Sequence, residues 1–285
     1  MNETQQIGAK LAEETPKFIR PDPPGFVRAS VLIACHTVQK LIGPKRLIFL
    51  TALLFIPVFI VAISKHEGQA DEFLSFFAPV AYLLVLAPLT SLFLSATNFA
   101  DEVDNRTLGY LLLRPISRET LLFGQCLGSG FVATALILFS AAAAHLVAAW
   151  PGHITGLIPS YWMGEFAGFA AVVVLSIALY TALSSVAGLV LKRPVLWGIV
   201  YMVIVEITFC YAAGPPSKIA ISHHTTRLLP EAYLTPEILV TEAANRPFEA
   251  VPIPVTIIGL GVTLFLLLGL AVVAVRRSEF TSKED

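Results

Sequence analysis

The chain has 285 residues, 56% of them hydrophobic and only 14% charged, with a mean hydropathy of +0.76 and a net charge of −1. A soluble domain carries about 25% charged residues, so the composition points away from a water-soluble globule and toward a lipid-embedded chain, and the near-zero net charge offers no basic field for nucleic acid. Cys35, Cys126 and Cys210 are scattered without a CxxC pair, which argues against a disulfide framework or a zinc site and for small buried hydrophobes.

Residues 1–25 are polar, contain Pro21, Pro23 and Pro24, and have no cleavable signal peptide; they read as a cytoplasmic tail. Over 26–43, Val27, Val31, Ala34, Cys35, Val38 and Leu41 recur at helical spacing. This predicts an amphipathic helix lying flat at the lipid surface, with an ordinary cytoplasmic helix as the alternative.

About 20 apolar residues carry a helix across a bilayer. Six runs approach or exceed that length, at about 47–64, 73–96, 126–149, 166–191, 194–213 and 255–275. Only Lys192 and Arg193 separate the fourth and fifth, predicting a tight helical hairpin. Lysine and arginine placement sets orientation. The tail and residues 26–46, the 98–125 segment, Lys192–Arg193 and the C-terminal end hold most basic residues, whereas the opposite side holds only Lys65, Lys218, Arg227 and Arg246. Six spans with both termini cytoplasmic follow. The loop 150–163 carries aromatics suited to a membrane interface. The connector 214–252 is too apolar for a plain linker and is broken by prolines, so short helices over the outer mouth of the bundle are expected. The fold class is thus an all-α membrane protein of six transmembrane helices, with an N-terminal interfacial helix and short extracellular helices between spans five and six.

The chemistry concentrates in 98–125, NFADEVDNRTLGYLLLRPISRETLLFGQ. Asp101, Glu102 and Asp104 follow the C-terminal end of span two, where a helix prefers cations. Arg106, Arg114 and Arg118, or the basic groups of a partner, compensate them. Asp104 can cap a short helix whose Leu108, Leu111 and Leu112 share a face. Pro115 ends that piece at Arg114, and Ser117 is a good N-cap for a helix running into span three. Helix, proline corner and helix make an elbow able to pass force from a soluble partner to the spans; a simple capped loop is the plainer reading.

The stretch ADEVDNRTLGYLLLRPISRETLLFGQCLG resembles the cytoplasmic segment of ABC-2 type transporter permeases. An acid-rich end of span two, an Arg-Thr-Leu-x-x-Leu-Leu run, Arg-Pro-Ile-Ser-Arg and a Leu-Leu-x-Gly helix start all match, and Gln125 stands where a lysine is common. The resemblance implies an ABC-2 type transmembrane domain over 26–285, not itself an enzyme. It implies a separate nucleotide-binding ATPase subunit that holds ATP and Mg and docks on the elbow, a second permease copy completing a homodimer, and an exporter of the inner (plasma) membrane surrounded by lipid. No cofactor is expected in this chain, and no GxxxxGK[ST] loop occurs in it. Glu102, Arg106, Thr107, Arg114, Pro115 and Arg118 are the expected coupling residues.

Within the spans, Glu206 stands out, because an ionisable group at membrane depth is costly and often functional. Glu206 and Tyr180 are candidate pathway residues. Tyr180, Thr181, Ser184 and Ser185 form a polar patch, although hydroxyls in spans commonly bond a backbone. His145 reads as a satisfied core histidine and His223–His224 as a solvated surface pair. Gly124/Gly128 and Gly164/Gly168 have the spacing of close helix contacts. No Ser/His/Asp or paired-carboxylate pattern is legible in the spans. Two other classes remain in view. An ion-coupled secondary transporter needs more buried acids than Glu206. A non-transporting membrane anchor or assembly factor needs only the elbow.

Overall fold

The computed structural model describes residues 25–66, 77–99, 117–149, 160–209, 219–230, 233 and 253–277, and every element among them is helical. Helix α1 is Phe26–Leu41, α2 Pro44–His66, α3 Pro79–Phe99, α4 Arg118–Ala149, α5 Ser160–Val190, α6 covers 194–209, α7 is Ile221–Thr226 and α8 Ile253–Arg277. By length and composition, four of these are able to cross a membrane: Pro79–Phe99, Arg118–Ala148, Gly164–Val190 and Ile253–Arg276. Ile48–Ser64 and Pro194–Thr208 are shorter apolar helices.

Side-chain contacts fix the helix directions. His145 near the end of α4 meets Phe166 near the start of α5, and Cys126 near the start of α4 meets Ser185 near the end of α5, so the two run antiparallel. Tyr82 meets Phe169 and Ser95 meets Ser185, so α3 runs parallel to α5. On α2, Phe55 packs on Phe139 and the Leu54 carbonyl accepts from Ser140, while Arg118 reaches the Val275 carbonyl at the far end of α8. Phe99, Leu122, Ala271 and Val275 therefore cluster at one end of the bundle. His145, Phe166 and Tyr233 mark the other.

The core lies between α3, α4 and α5, where Tyr82, Ile137, Phe169, Ile177 and Tyr180 are sealed from solvent. Hydrophobicity distinguishes the helices less than burial does. The span Pro79–Phe99 is 72% buried, whereas Ile253–Arg276 is only 11% buried and turns Phe265, Leu266 and Leu270 outward.

Two local features follow from sequence. First, α3 alternates wide π turns over Pro79–Leu86 and Leu92–Ala96 with ordinary turns over Ala87–Ser91. Pro88 removes one amide from the ladder, and membrane helices absorb such a loss by local adjustment. The Thr90 hydroxyl contributes by donating to the Leu86 carbonyl at 2.7 Å. Second, α1 lies along the first turns of α4. A Cβ on Gly124 would meet Ile33 at 2.6 Å and the Ser30 carbonyl at 2.8 Å; one on Gly128 would meet Thr37 at 2.7 Å and the Ala34 carbonyl at 2.8 Å. Contacts advance by four on both helices, so α1 and α4 run in the same direction, and only glycine permits the approach.

This contact shows which face of α1 meets α4. The residues buried there are Ala29, Ser30, Thr37 and Leu41, while Val27, Val31 and Cys35 of the apolar stripe remain exposed. Val31, Cys35 and Val38 instead line an open groove of about 880 Å³ with Leu127 and Phe131. In lipid, an apolar stripe gains nothing by facing a neighbour, whereas small residues gain close packing.

Candidate functional site

The polar centre of the bundle is Glu206, whose side chain is wholly buried. Its two oxygens are served symmetrically. Oε1 accepts from the Tyr201 hydroxyl at 2.8 Å and the Ile221 amide at 3.2 Å. Oε2 accepts from the Tyr180 hydroxyl at 2.8 Å and the Ser222 amide at 3.0 Å. One carboxylate thus joins α5, α6 and α7.

Each partner is positioned by local structure. Tyr201 and Glu206 are five residues apart and would diverge around an ordinary α-helix. Here α6 changes to wide π turns over Met202–Phe209, which stack a residue near its fifth neighbour. The Thr208 hydroxyl, donating to the Val203 carbonyl at 2.9 Å, shows the same offset of five. On α7, the Ile221 and Ser222 amides lie at a helix start, where backbone N–H groups have no intrahelical acceptor. The residue before them, Ala220, supplies no side-chain cap. Glu206 provides the acceptor from another helix, and a carboxylate at a helix start also complements its dipole.

The depth of this site is informative. Tyr180 stands ten residues before the end of α5 at Val190, or roughly 15 Å along the axis, about half of an apolar core ~30 Å thick. From there residues 219–230 climb toward the far end, where Tyr233 also lies. The Pro230 ring lies 2.7 Å from where a Gly168 Cβ would stand, and Tyr233 stacks on Phe169 with ring centroids 4.9 Å apart. Ile221, Ser222, His223 and Thr225 are buried. The described part of the connector therefore enters the bundle instead of covering it. The histidine pair is corrected with it: His223 is enclosed, its ring edge-on to His224 at 5.1 Å. Its polar neighbours in sequence suggested solvent, but tertiary contact decides its burial.

A second tie secures the outer part of the segment. His145 Nδ1 lies 2.7 Å from the Ala141 carbonyl, which only accepts, so Nδ1 carries the proton. Nε2 then accepts from the Tyr233 hydroxyl at 2.6 Å. Burial, and after it the negative charge of Glu165, pushes the Tyr233 phenol up from its ordinary range and keeps it a donor. Phe166 and Phe169 flank the imidazole. His145 is thus the satisfied core histidine that its sequence context implied.

Between the centre and the opposite end, Ser95 and Ser185 pair at 2.8 Å, Cys126 Sγ lies 3.0 Å from Ser185, and Ser185 donates to the Thr181 carbonyl at 2.7 Å. These hydroxyls tie helices together or bond their own backbone. The described residues include no group of three or more His, Cys, Asp or Glu able to hold a metal.

The elbow is described from Ser117 onward. Ser117 Oγ accepts from the Thr120 amide at 3.2 Å, the expected N-cap, and starts one continuous helix at Arg118 ahead of the expected span boundary at 126. Arg118 Nη1 reaches the Val275 carbonyl at 3.4 Å. Arg276 Nε donates to Glu119 Oε1 at 2.9 Å, and its Nη2 contacts the same oxygen. The start of α4 is thereby tied to the end of α8, a tie that local sequence signals do not reveal. Glu102, Arg106, Thr107, Arg114 and Pro115 lie outside the described residues.

A family model described as "ABC-2 family transporter protein" matches residues 44–214. The match covers α2 through α6, the 98–125 segment and Tyr180, Tyr201 and Glu206, and amounts to more than half of the chain. No curated protein matches this sequence.

Proposed function

Since the chain belongs to the ABC-2 family of transporter proteins, a family of multi-pass, non-catalytic transport components that work with an ATPase subunit, we propose that it is the permease subunit of an ATP-driven exporter in the inner (plasma) membrane. It crosses six times with both termini cytoplasmic. The helices α2, α3, α4, α5, α6 and α8 are the spans, and α1 is the N-terminal interfacial helix, packed along the first turns of α4 and not flat on the surface. A second copy completes the pathway as a homodimer, and ATP and Mg reside on the partner subunit.

The observation that carries this reading is the family match across the 98–125 elbow together with the helices on both sides of it. The alternating helix directions support it, because Lys192, Arg193 and Arg276 then stand at the elbow end of the bundle. The ATPase docks on the elbow through Glu102, Arg106, Thr107, Arg114, Pro115 and Arg118. Its closure pushes α4, and the tie from Glu119 to Arg276 carries the push to α8. Glu206 and Tyr180, bonded to each other within the bundle, are the candidate pathway residues.

The test is co-purification. The wild-type chain retains a phosphate-loop ATPase, and its substrate stimulates ATP hydrolysis in liposomes. The double variant Arg114→Glu with Arg118→Glu loses both. A double variant that keeps partner and transport unchanged removes the coupling assignment, and a retained partner with no stimulated hydrolysis leaves a membrane anchor in place of a transporter.

A further inference from the structure

The segment 219–230 poses a problem that Glu206 solves. A short helix starting at membrane depth has amide donors with no water to receive them, and unsatisfied backbone there is strongly disfavoured. We infer that Glu206, held by Tyr180 and Tyr201, is the clasp that seats this re-entrant segment between α5 and α6, and that the seat opens and recloses during each transport cycle. The inference rests on the transporter reading for its second half and on geometry alone for its first.

Three observations point to a seat that releases rather than a permanent weld. The clasp is built on the π-turn stretch of α6, and such turns recur at functional sites. Helix α7 is only six residues long, too short to hold itself without its contacts. The Ser222 hydroxyl is buried with no partner among the described residues, although the amide of the same residue is satisfied. An orphaned buried hydroxyl opposes the seated state, so the Glu206 bonds hold the segment against a standing cost. The His145–Tyr233 tie lies further out and anchors the segment at its far end, which makes it the pivot. Among the described residues, the groups bonded to Glu206 are donors: two phenols and two backbone amides. Moving α5 relative to α6 separates Tyr180 from Glu206 and so weakens the clasp from within the bundle. That is how force applied near the elbow reaches this point.

Hydrogen–deuterium exchange of the full chain in nanodiscs, read by mass spectrometry, tests this. In nucleotide-free Glu206→Gln, the peptide containing Ile221 and Ser222 exchanges at least about tenfold faster than wild type, because an amide group offers a donor where a second acceptor is needed. Peptides of α4 around His145 stay unchanged. Tyr201→Phe removes one bond, keeps the acceptor and produces a smaller increase, which serves if Glu206→Gln fails to fold. In wild type with the ATPase bound and turning over, exchange at the same peptide rises above its ATP-free level; in Glu206→Gln it is already high and no longer responds. Unchanged exchange in both variants overturns the clasp. A transporting wild type whose 221–222 exchange ignores turnover overturns the opening step. Absence of ATP-driven transport with the variant effect intact removes the transporter reading, and with it the opening step, and leaves the clasp standing.

Discussion

The Ser222 amide donates to Glu206 Oε2 at 3.0 Å, so a residue on one helix caps the start of another sixteen positions later. Removing the acceptor leaves buried donors unpaired, at about 1–3 kcal/mol each. Glu206→Ala therefore lowers thermal stability well beyond an ordinary surface change. Tyr180→Phe, which removes one donor and leaves the carboxylate three partners, costs about 0.5–1.5 kcal/mol. Fluorescence-detected size-exclusion after a heating series ranks the two, and equal midpoints for wild type and Glu206→Ala contradict the arrangement.

The contact between α1 and α4 depends on Gly124 and Gly128. Gly124→Val drives a side chain into Ile33 and the Ser30 carbonyl, and overpacking of this kind costs about 1–3 kcal/mol. A Cβ at Gly164 meets nothing among the described residues within 4 Å, so Gly164→Ala leaves stability nearly unchanged. Gly124 and Gly164 each open a glycine pair of the same spacing yet have opposite surroundings, and the same heating series separates them.

These contrasts show what a sequence of this kind reveals. Apolar runs identify the long helices because crossing lipid is a local demand on about 20 consecutive residues. Ser117 was legible as a cap because capping needs only its own neighbourhood. The partner of α1 was not legible: its apolar stripe announces a lipid-facing side, but nothing local says that Ala29, Ser30 and Thr37 make the close contact with α4. Glu206 was visible as an oddity, but its partners were not. Tyr201 reaches it only because α6 takes π turns, and Ile221 and Ser222 arrive by tertiary folding.

Ser117→Ala removes the cap of α4 and costs about 0.5–2 kcal/mol, while Ser117→Asp keeps an acceptor and recovers most of it. Amide exchange over 118–122 reads the difference. The expected order of protection is wild type and Ser117→Asp above Ser117→Ala.

The Arg276–Glu119 pair is exposed, with side-chain accessibilities of 66% and 37%. Screening by solvent limits such a pair to about 0–1 kcal/mol. Glu119→Arg therefore leaves the midpoint within about 1 kcal/mol of wild type yet lowers transport, because the tie between α4 and α8 is lost. Adding Arg276→Glu restores transport by re-forming the pair with reversed charge. A double reversal no better than either single change argues against the tie as a route for force.

The account turns on residues 98–125 facing the compartment that contains ATP. The most direct measurement is labelling of Arg114→Cys in cells with a membrane-impermeant maleimide, with the wild-type chain as background. The account predicts no added labelling in intact cells and strong labelling once the membrane is permeabilised. Labelling of position 114 in intact cells places the elbow outside and contradicts the coupling mechanism.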